Sequence, residues 1–337
     1  MSRQHEDGQV AAAAAALKAA GVADADTARC TPLSGGTYNT VVRVVFDDHR
    51  RWVVKIPPPL SAPGLSHEKE LLRGEVAFYT SAATAPDVPV STVVHSELAP
   101  YAAGGPYLIS TLCPGRPWNG LSETIRDDER RRLRRELGAV VARLHTVAGT
   151  GFGYPAAPLG PSPATWRQTF TAMIHAVLDD ADRYRVRLPV SPARVRELLA
   201  AAAGVLDDVV RPVLVHFDLW EGNLLLDGEP GARALGGVID GERMFWGDPV
   251  ADFVSLALLG NLEDDADFLA GYEAVAGPLR FDASVWLRLA LYRVYLYLIM
   301  LVEVAPRGYP PEQVARTRKH VTPQLLAAVR EVATARA

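Results

Sequence analysis

The sequence predicts an α+β fold of two unequal lobes, and three observations carry that expectation. The first third is rich in short β-branched runs, the remainder reads mostly as helix, and Cys113-Pro114-Gly115-Arg116-Pro117 breaks the chain where its character changes. A length of 337 residues is well beyond the usual single-domain size, so one large domain or two lobes is expected. With 49% hydrophobic and 22% charged residues the chain can fill a core, which excludes collagen-like and wholly disordered classes. We expect an N-lobe over residues 1–111 and a C-lobe over residues 112–337.

Residues 9–20 read as an alanine-rich helix closed by Gly21. Glu6 and Asp7 stand where a secretory leader would carry positive charge, so this segment is not read as a signal peptide. Strands follow at 40–46 and 51–56, with Asp47-Asp48-His49 as the turn between them. A small-residue loop over 33–39, containing Gly35 and Gly36, precedes the first of these strands. A proline-rich stretch from Pro57 leads to a helical pattern over 67–82, then strand-like runs at 88–94 and 107–112. In the second lobe, a helix over 127–146 sets Arg130, Arg131, Arg134 and Arg135 against Leu133, Leu137, Val140, Val141 and Leu144. A proline- and glycine-containing loop leads to a helix over 164–183, and short strands follow at 213–216, 224–226 and 237–240. A long helix spans 282–304. Its most apolar stretch, residues 294–302, is far shorter than the roughly 20 residues a membrane span needs, so it is expected in the core.

A net charge of −4 and a pI near 6.1 argue against a nucleic-acid partner, which would require a basic surface. Cys30 and Cys113 are too few for a disulfide scaffold and lack metal-ligand spacing, so a reduced, cytoplasmic setting is expected. Neither a membrane nor a nucleic acid is an expected partner, and oligomeric state is not written in the sequence. Of the 35 basic residues only Lys18, Lys55, Lys69 and Lys319 are lysines, and Lys55 lies inside an apolar strand.

Four separated pieces then make chemical sense together. An apolar run enters His216-Phe217-Asp218, with Asn223 five residues after the aspartate. A second strand ends in Asp240-Gly241-Glu242. Lys55 is the third piece and the loop Ser34-Gly35-Gly36-Thr37-Tyr38-Asn39 the fourth. Phosphoryl transfer from ATP requires such parts. Glycine lets backbone approach a triphosphate without steric cost. A strand-borne cation can neutralise phosphates, carboxylate and amide oxygens suit Mg²⁺, and a further carboxylate can take or orient the proton of an attacking hydroxyl.

The pattern His-x-Asp-x-x-x-x-Asn, followed by Ile-Asp-x-Glu and Gly-Asp-Pro-x-x-Asp, resembles the aminoglycoside phosphotransferase or choline-kinase-like family of small-molecule kinases. The resemblance extends over residues 32–253 and includes Glu75-Val76-Ala77-Phe78-Tyr79 and Leu112-Cys113-Pro114-Gly115. It implies a bilobal, protein-kinase-like fold with a small antiparallel sheet in the N-lobe and a larger helical C-lobe. It further implies that Asp218 is the catalytic carboxylate, that Asn223 and Asp240 ligate Mg²⁺, and that Lys55 binds the α/β-phosphates of ATP. Ser34, Gly35, Gly36, Thr37 and Asn39 would cover the phosphates, and the backbone from Ser110 to Leu112 would meet the adenine edge. Glu75, with Tyr79 four residues on, would pair with Lys55; Glu68, seven residues earlier on the same helical face, is the alternative. His216, Glu242 and Asp252 would support the site, His216 and Asp252 by bracing the loop that carries Asp218. Phe217 and Trp220 depart from the residues many relatives have there.

The implied reaction is transfer of the ATP γ-phosphate to a hydroxyl of a small molecule, most simply an aminoglycoside or another antibiotic, which would make this a resistance or self-protection enzyme. A choline-, homoserine- or sugar-like acceptor is the alternative, and a non-catalytic nucleotide-binding module is the rival of another class. A protein kinase is disfavoured because no Asp-Phe-Gly or Ala-Pro-Glu bounds an activation segment. Two acidic groups, Asp179-Asp180 with Asp182 and Glu263-Asp264-Asp265 with Asp267, would suit a polycationic acceptor, although solvated charge is the simpler reading.

Overall fold

The computed structural model describes residues 3–33, 38–59, 61–99, 105–157, 159–160 and 165–335. Ser34, Gly35, Gly36 and Thr37, expected over the phosphates, lie outside the described residues. The chain opens with α1 (Arg3–Ala19), followed by β1 (Arg29–Pro32), β2 (Thr40–Val45) and β3 (Arg51–Ile56). Next come α2 (Leu71–Ala82), β4 (Val93–Glu97) and β5 (Tyr107–Thr111). These strands form one antiparallel sheet in the order β1-β2-β3-β5-β4. Alternation along β3 sends Val54 to one face and Lys55 to the other. Val42, Val44, Val54 and Ile109 pack with Ala13, Ala16 and Leu17 of α1 in a small core of their own. Lys55, paired in register with Val41 and Leu108, is thereby left on the face away from α1.

Beyond the sheet the chain is mostly helical. The short strand β6 (Arg116–Pro117) leads to α3 (Asp127–Leu144), α4 (Trp166–Arg183) and α5 (Pro192–Ala202). Then β7 (Val213–Val215), β8 (Leu224–Asp227), β9 (Ala234–Val238) and β10 (Phe245–Gly247) form two small antiparallel sheets, β6-β8-β9 and β10-β7. They are followed by α6 (Asp252–Leu256), α7 (Ala266–Ala276), α8 (Ala283–Val302) and α9 (Pro311–Thr334). Thr165, Ser191, Asp265 and Asp282 each accept a backbone N–H at a helix start, the usual reward for a short oxygen-bearing side chain there.

The helix α8 is longer and more continuously apolar than the nine-residue stretch singled out in the sequence, and by length and composition it is sufficient to cross a membrane. In this fold 78% of its most apolar window is buried, packed chiefly against α9 and α4 within the large core.

Two expected elements are corrected. The helix expected from residue 67 begins at Leu71, because Ser66–Glu68 form a separate 3-10 turn and Glu70 takes a left-handed conformation (φ 57°) between them. The strand expected at 88–94 begins at Val93. Pro89 has no N–H for a ladder, and Val90 instead makes an isolated parallel bridge to Val238.

Candidate active site

The loop after β7 is shaped by one buried carboxylate. Asp252, with no exposure at all, accepts the backbone N–H of His216 at 3.1 Å and that of Phe217 at 2.6 Å. His145 Nε2 lies 3.0 Å from the same carboxylate, and Ser255 accepts the Leu219 N–H at 3.0 Å. These contacts hold Phe217 in a left-handed conformation (φ 62°) that a bulky residue rarely adopts, with its ring in the core against Phe245 and Tyr295. The loop therefore turns sharply enough to present Asp218. His216 Nδ1 accepts the Asp218 N–H at 3.2 Å, so its proton is on Nε2, which donates to Ile239 O at 3.0 Å. His216 thus ties the Asp218 loop to the end of the strand that leads to Asp240.

Asn223 closes the loop. Its amide Nδ2 donates to Asp218 O at 2.9 Å and to Asp218 Oδ2 at 3.2 Å, while Ile239 N–H donates to Asn223 O. That fixes the amide orientation and leaves Asn223 Oδ1 with no donor among the described residues. Asp240, in a left-handed conformation (φ 63°), ends the strand direction at Val238 and swings its carboxylate toward the sheet.

Across the cleft, Lys55 Nζ meets three carboxylates: Glu75 Oε2 at 2.6 Å, Glu242 Oε2 at 3.0 Å and Asp240 Oδ1. Tyr79 organises the far side, donating to Glu75 Oε1 at 2.9 Å and accepting the Asp240 N–H at 3.2 Å. The helix α2 can approach this closely because Gly74 has no side chain: a Cβ there would sit 2.5 Å from Glu242 O. Glu75 is therefore the partner of Lys55. Glu68 is not on the same helix; it pairs with Arg307 and accepts the Leu65 N–H. Burial alone would lower Lys55, but Asp240, Glu242 and Glu75 more than offset it and hold its ammonium well above the usual range. Burial pushes the Glu242 carboxyl up to about 7 against the pull of Lys55, and it raises Glu75 as well. Asp240 runs the other way: enclosure would raise it, and Lys55 brings it below the usual carboxylate range. Asp218 is raised by burial, with Arg243 the strongest opposing charge.

Asn39 is brought into this group, its Nδ2 donating to Glu242 Oε2 at 2.6 Å, while its Oδ1 is buried with no partner among the described residues. Ser110 is buried within β5, and Leu112 donates its N–H to Arg51 O at 2.9 Å. The carboxylates of Glu75, Asp240 and Glu242 offer oxygens within 4.8 Å of one another. This donor set is the hard-oxygen chemistry that Mg²⁺ takes.

Sequence reasoning missed a buried ion-pair chain that starts at Arg243. Arg243 bonds Glu303 at 2.6 Å, and Arg307 joins Glu303 to Glu68. Only the position of Arg243, directly after Glu242, hinted at it. The acidic groups also resolve. Asp180 is wholly buried, accepts the Ser66 N–H at 2.6 Å and the Ser66 hydroxyl at 2.8 Å, and pairs with Arg183. Asp179 pairs with Arg196, Asp265 with Arg134, Asp267 with Arg135 and Glu263 with Arg293. They do not form an unneutralised acidic surface.

Comparison with known proteins agrees with this architecture. A protein assigned as a ketoamine kinase in Vibrio vulnificus (strain CMCP6) is 33% identical over 104 residues, a stretch covering 27% of this chain and 32% of that protein. The chain thus spans about a third of that relative's length. The crystal structure of a Thermobifida fusca YX-ER1 protein assigned as a fructosamine-3-kinase matches with a TM-score of 0.64 at 21% identity, covering 90% of this chain and 93% of the other. The aminoglycoside phosphotransferase APH(4)-Ia, in a ternary complex with ADP and hygromycin B, matches with a TM-score of 0.61 at 18% identity, covering 90% and 94%. These neighbours show the bilobal kinase-like fold, an antiparallel N-lobe sheet over a helical C-lobe. The model of the phosphotransferase enzyme family matches residues 29–292, and the chain belongs to that family of small-molecule phosphotransferases.

Proposed function

We propose that this protein transfers the γ-phosphoryl group of ATP to a hydroxyl of a small molecule. One observation carries the reading: Lys55 from the sheet and Asp240 from the helical lobe meet at a single point, beside a loop that holds Asn223 against Asp218. Residues separated by 185 positions in the chain form that contact. Lys55, kept charged by Glu75, would bind the α/β-phosphates as it leaves Asp240. Asn223 Oδ1 and the Asp240 carboxylate would hold Mg²⁺, which when bound supplies positive charge to the phosphates. Asp218, hydrogen-bonded by the Asn223 amide, would accept the proton of the acceptor hydroxyl. The hydroxyl oxygen then bonds to the γ-phosphorus as the bond to the β–γ bridging oxygen breaks, and ADP leaves with that electron pair. Glu242, His216 and Asp252 would position these groups. The N-lobe of residues 1–111 would carry the nucleotide and the C-lobe of residues 112–337 the acceptor, in the ATP-supplied, reducing cytoplasm.

The acceptor class rests on the relatives: one is assigned as a ketoamine kinase, one as a fructosamine-3-kinase, and one is an aminoglycoside phosphotransferase holding hygromycin B. Hydroxylated small molecules, antibiotics among them, are accordingly the class to screen. The test is incubation with Mg-ATP and a panel of hydroxylated compounds, read by mass spectrometry for the gain of one phosphate. Asp218→Ala should reduce transfer by about 10²- to 10⁴-fold while Mg-ATP still raises the unfolding temperature. Full transfer by that variant removes Asp218 from its role. Stabilisation of the wild type by Mg-ATP, with transfer to no compound, favours the non-catalytic nucleotide-binding module.

A further inference from the structure

The connection between β3 and α2 is fastened to the helical lobe, not to the sheet it leaves. Tyr184, which follows α4, donates its hydroxyl to Gly64 O at 2.8 Å and accepts the Gly64 N–H at 3.2 Å. Asp180, in the last turn of α4, accepts the Ser66 N–H at 2.6 Å and the Ser66 hydroxyl at 2.8 Å. Glu68 accepts the Leu65 N–H at 2.8 Å and pairs with Arg307, beyond α8. Leu65 itself packs in the large core that holds α4, and takes no part in the small core shared by α1 and the sheet.

The helix α2 continues that attachment. Its start at Leu71 has no side-chain cap, and the left-handed Glu70 breaks it from the turn before, so no local device fixes where it begins. Leu72, Phe78 and Tyr79 lie in the large core too, Phe78 edge-on to His216 with ring centroids 4.8 Å apart. Glu75 is thus presented to Lys55 from the helical lobe. Asp180, the anchor upstream of it, stands in an unfavourable place for a charge. A carboxylate in the last turn of a helix opposes the dipole, and this one has no exposed surface. Arg183 offsets its charge, while both of its oxygens accept from one residue, Ser66.

We infer that Asp180 is a positioning residue for the nucleotide site: it holds Ser66, which sets the start of α2, and so places Glu75 where it keeps Lys55 aimed at the phosphates. The inference rests on the kinase reading above and adds to it a remote determinant of the lysine's geometry. When Lys55 leaves Asp240 for the α/β-phosphates, Glu75 and Glu242 are the partners that direct it. Glu242 is set by the turn that begins at Asp240, whereas Glu75 depends on where α2 begins. Displacements of about 1 Å are enough to impair a site of this kind.

The test is a double-mutant cycle read by calorimetric titration of Mg-ATP into the full chain, with Asp180→Ala and Glu75→Gln made singly and together. Asp180→Ala should weaken Mg-ATP binding by about tenfold in the wild-type background and by less than about twofold once Glu75→Gln is present, because the two residues act on Lys55 in series. Asp180→Asn should recover most of the affinity, since its oxygen can take the Ser66 N–H and its amide can donate to the Ser66 hydroxyl, although the charge facing Arg183 is gone. Ser66→Ala removes one bond of the clasp and should give about a threefold loss with the same dependence on Glu75. Thermal unfolding checks that each variant is folded, and if Asp180→Ala is not, the Ser66→Ala cycle decides. Wild-type affinity in the folded alanine variants, no recovery in Asp180→Asn, or an equal loss with and without Glu75→Gln overturns the inference and leaves the kinase reading standing. Failure of the wild type to bind Mg-ATP overturns both.

Discussion

One wall of side chains sets Lys55 against three carboxylates, whereas another alternates two arginines with two glutamates. The first wall holds an excess of oxygen ligands around one cation, an arrangement that is completed by adding positive charge. The second is already neutral. The contrast also separates two kinds of construction. The groups around Lys55 and Asp218 are anchored by backbone devices: the Asp252 clasp on residues 216 and 217, the left-handed Asp240, and the close approach of Gly74. The groups of the second chain come from distant segments and are tied largely to one another, with Glu68 also accepting the Leu65 N–H.

The contrast is broken most forcefully at Lys55. Lys55→Met leaves Glu75, Asp240 and Glu242 buried around nothing, and we expect unfolding free energy to fall by about 3–5 kcal/mol, as for other buried ion pairs stripped of one partner. Transfer should fall by about 10²-fold or more, because a preorganised phosphate ligand is lost. Chemical denaturation and steady-state kinetics check both, and a variant with wild-type stability contradicts the buried triad. Next in size is Asp252→Ala, which leaves the His216 and Phe217 amides without their acceptor. A loss of about 2–4 kcal/mol is expected, since bonds to a charged group are the stronger kind. A change under 0.5 kcal/mol, well below that range, would show that the loop is held otherwise.

The arginine–glutamate chain and the neighbouring His67 carry a pH signature. His67, held neutral down to about 4, binds its proton less readily folded than unfolded. The unfolded chain therefore takes up protons first as pH falls below 6.5, and stability declines between pH 6.5 and 4 by up to about 3 kcal/mol. Glu68, lowered to about 2 chiefly by Arg307 against the opposing effect of burial, adds a further decline as pH drops through and below 4.5. Thermal unfolding of His67→Phe across pH 4–7 should show a flatter profile than the wild type. Parallel profiles would place His67 outside the buried wall.

Much of this was legible from the residues, and the exceptions have physical causes. The β-branched runs at β2 and β3 marked the sheet, because strand propensity is a local property. The His216 to Asn223 segment was legible from its motif, and the bonds of Asp218 to His216 and Asn223 lie within five positions, although the Asp252 clasp comes from farther along the chain. Glu68 was misread because seven residues of spacing place two side chains on one face only if the helix is continuous, and Glu70 interrupts it. The arginine–glutamate chain was not legible because residues 68, 243, 303 and 307 share no period and meet only after α8 has packed. Asp179 and Asp180 looked like surface charge in sequence, yet one caps a loop from inside the fold and the other is matched to Arg196.

The convergence of Lys55, Asn223 and Asp240 on one triphosphate is tested most directly by calorimetric titration of ATP with and without Mg²⁺, in the wild type and in Asp240→Asn. The wild type should bind ATP more tightly when Mg²⁺ is present, and the variant should lose that magnesium-dependent gain while retaining metal-free binding. An identical magnesium dependence in the two proteins would contradict the site.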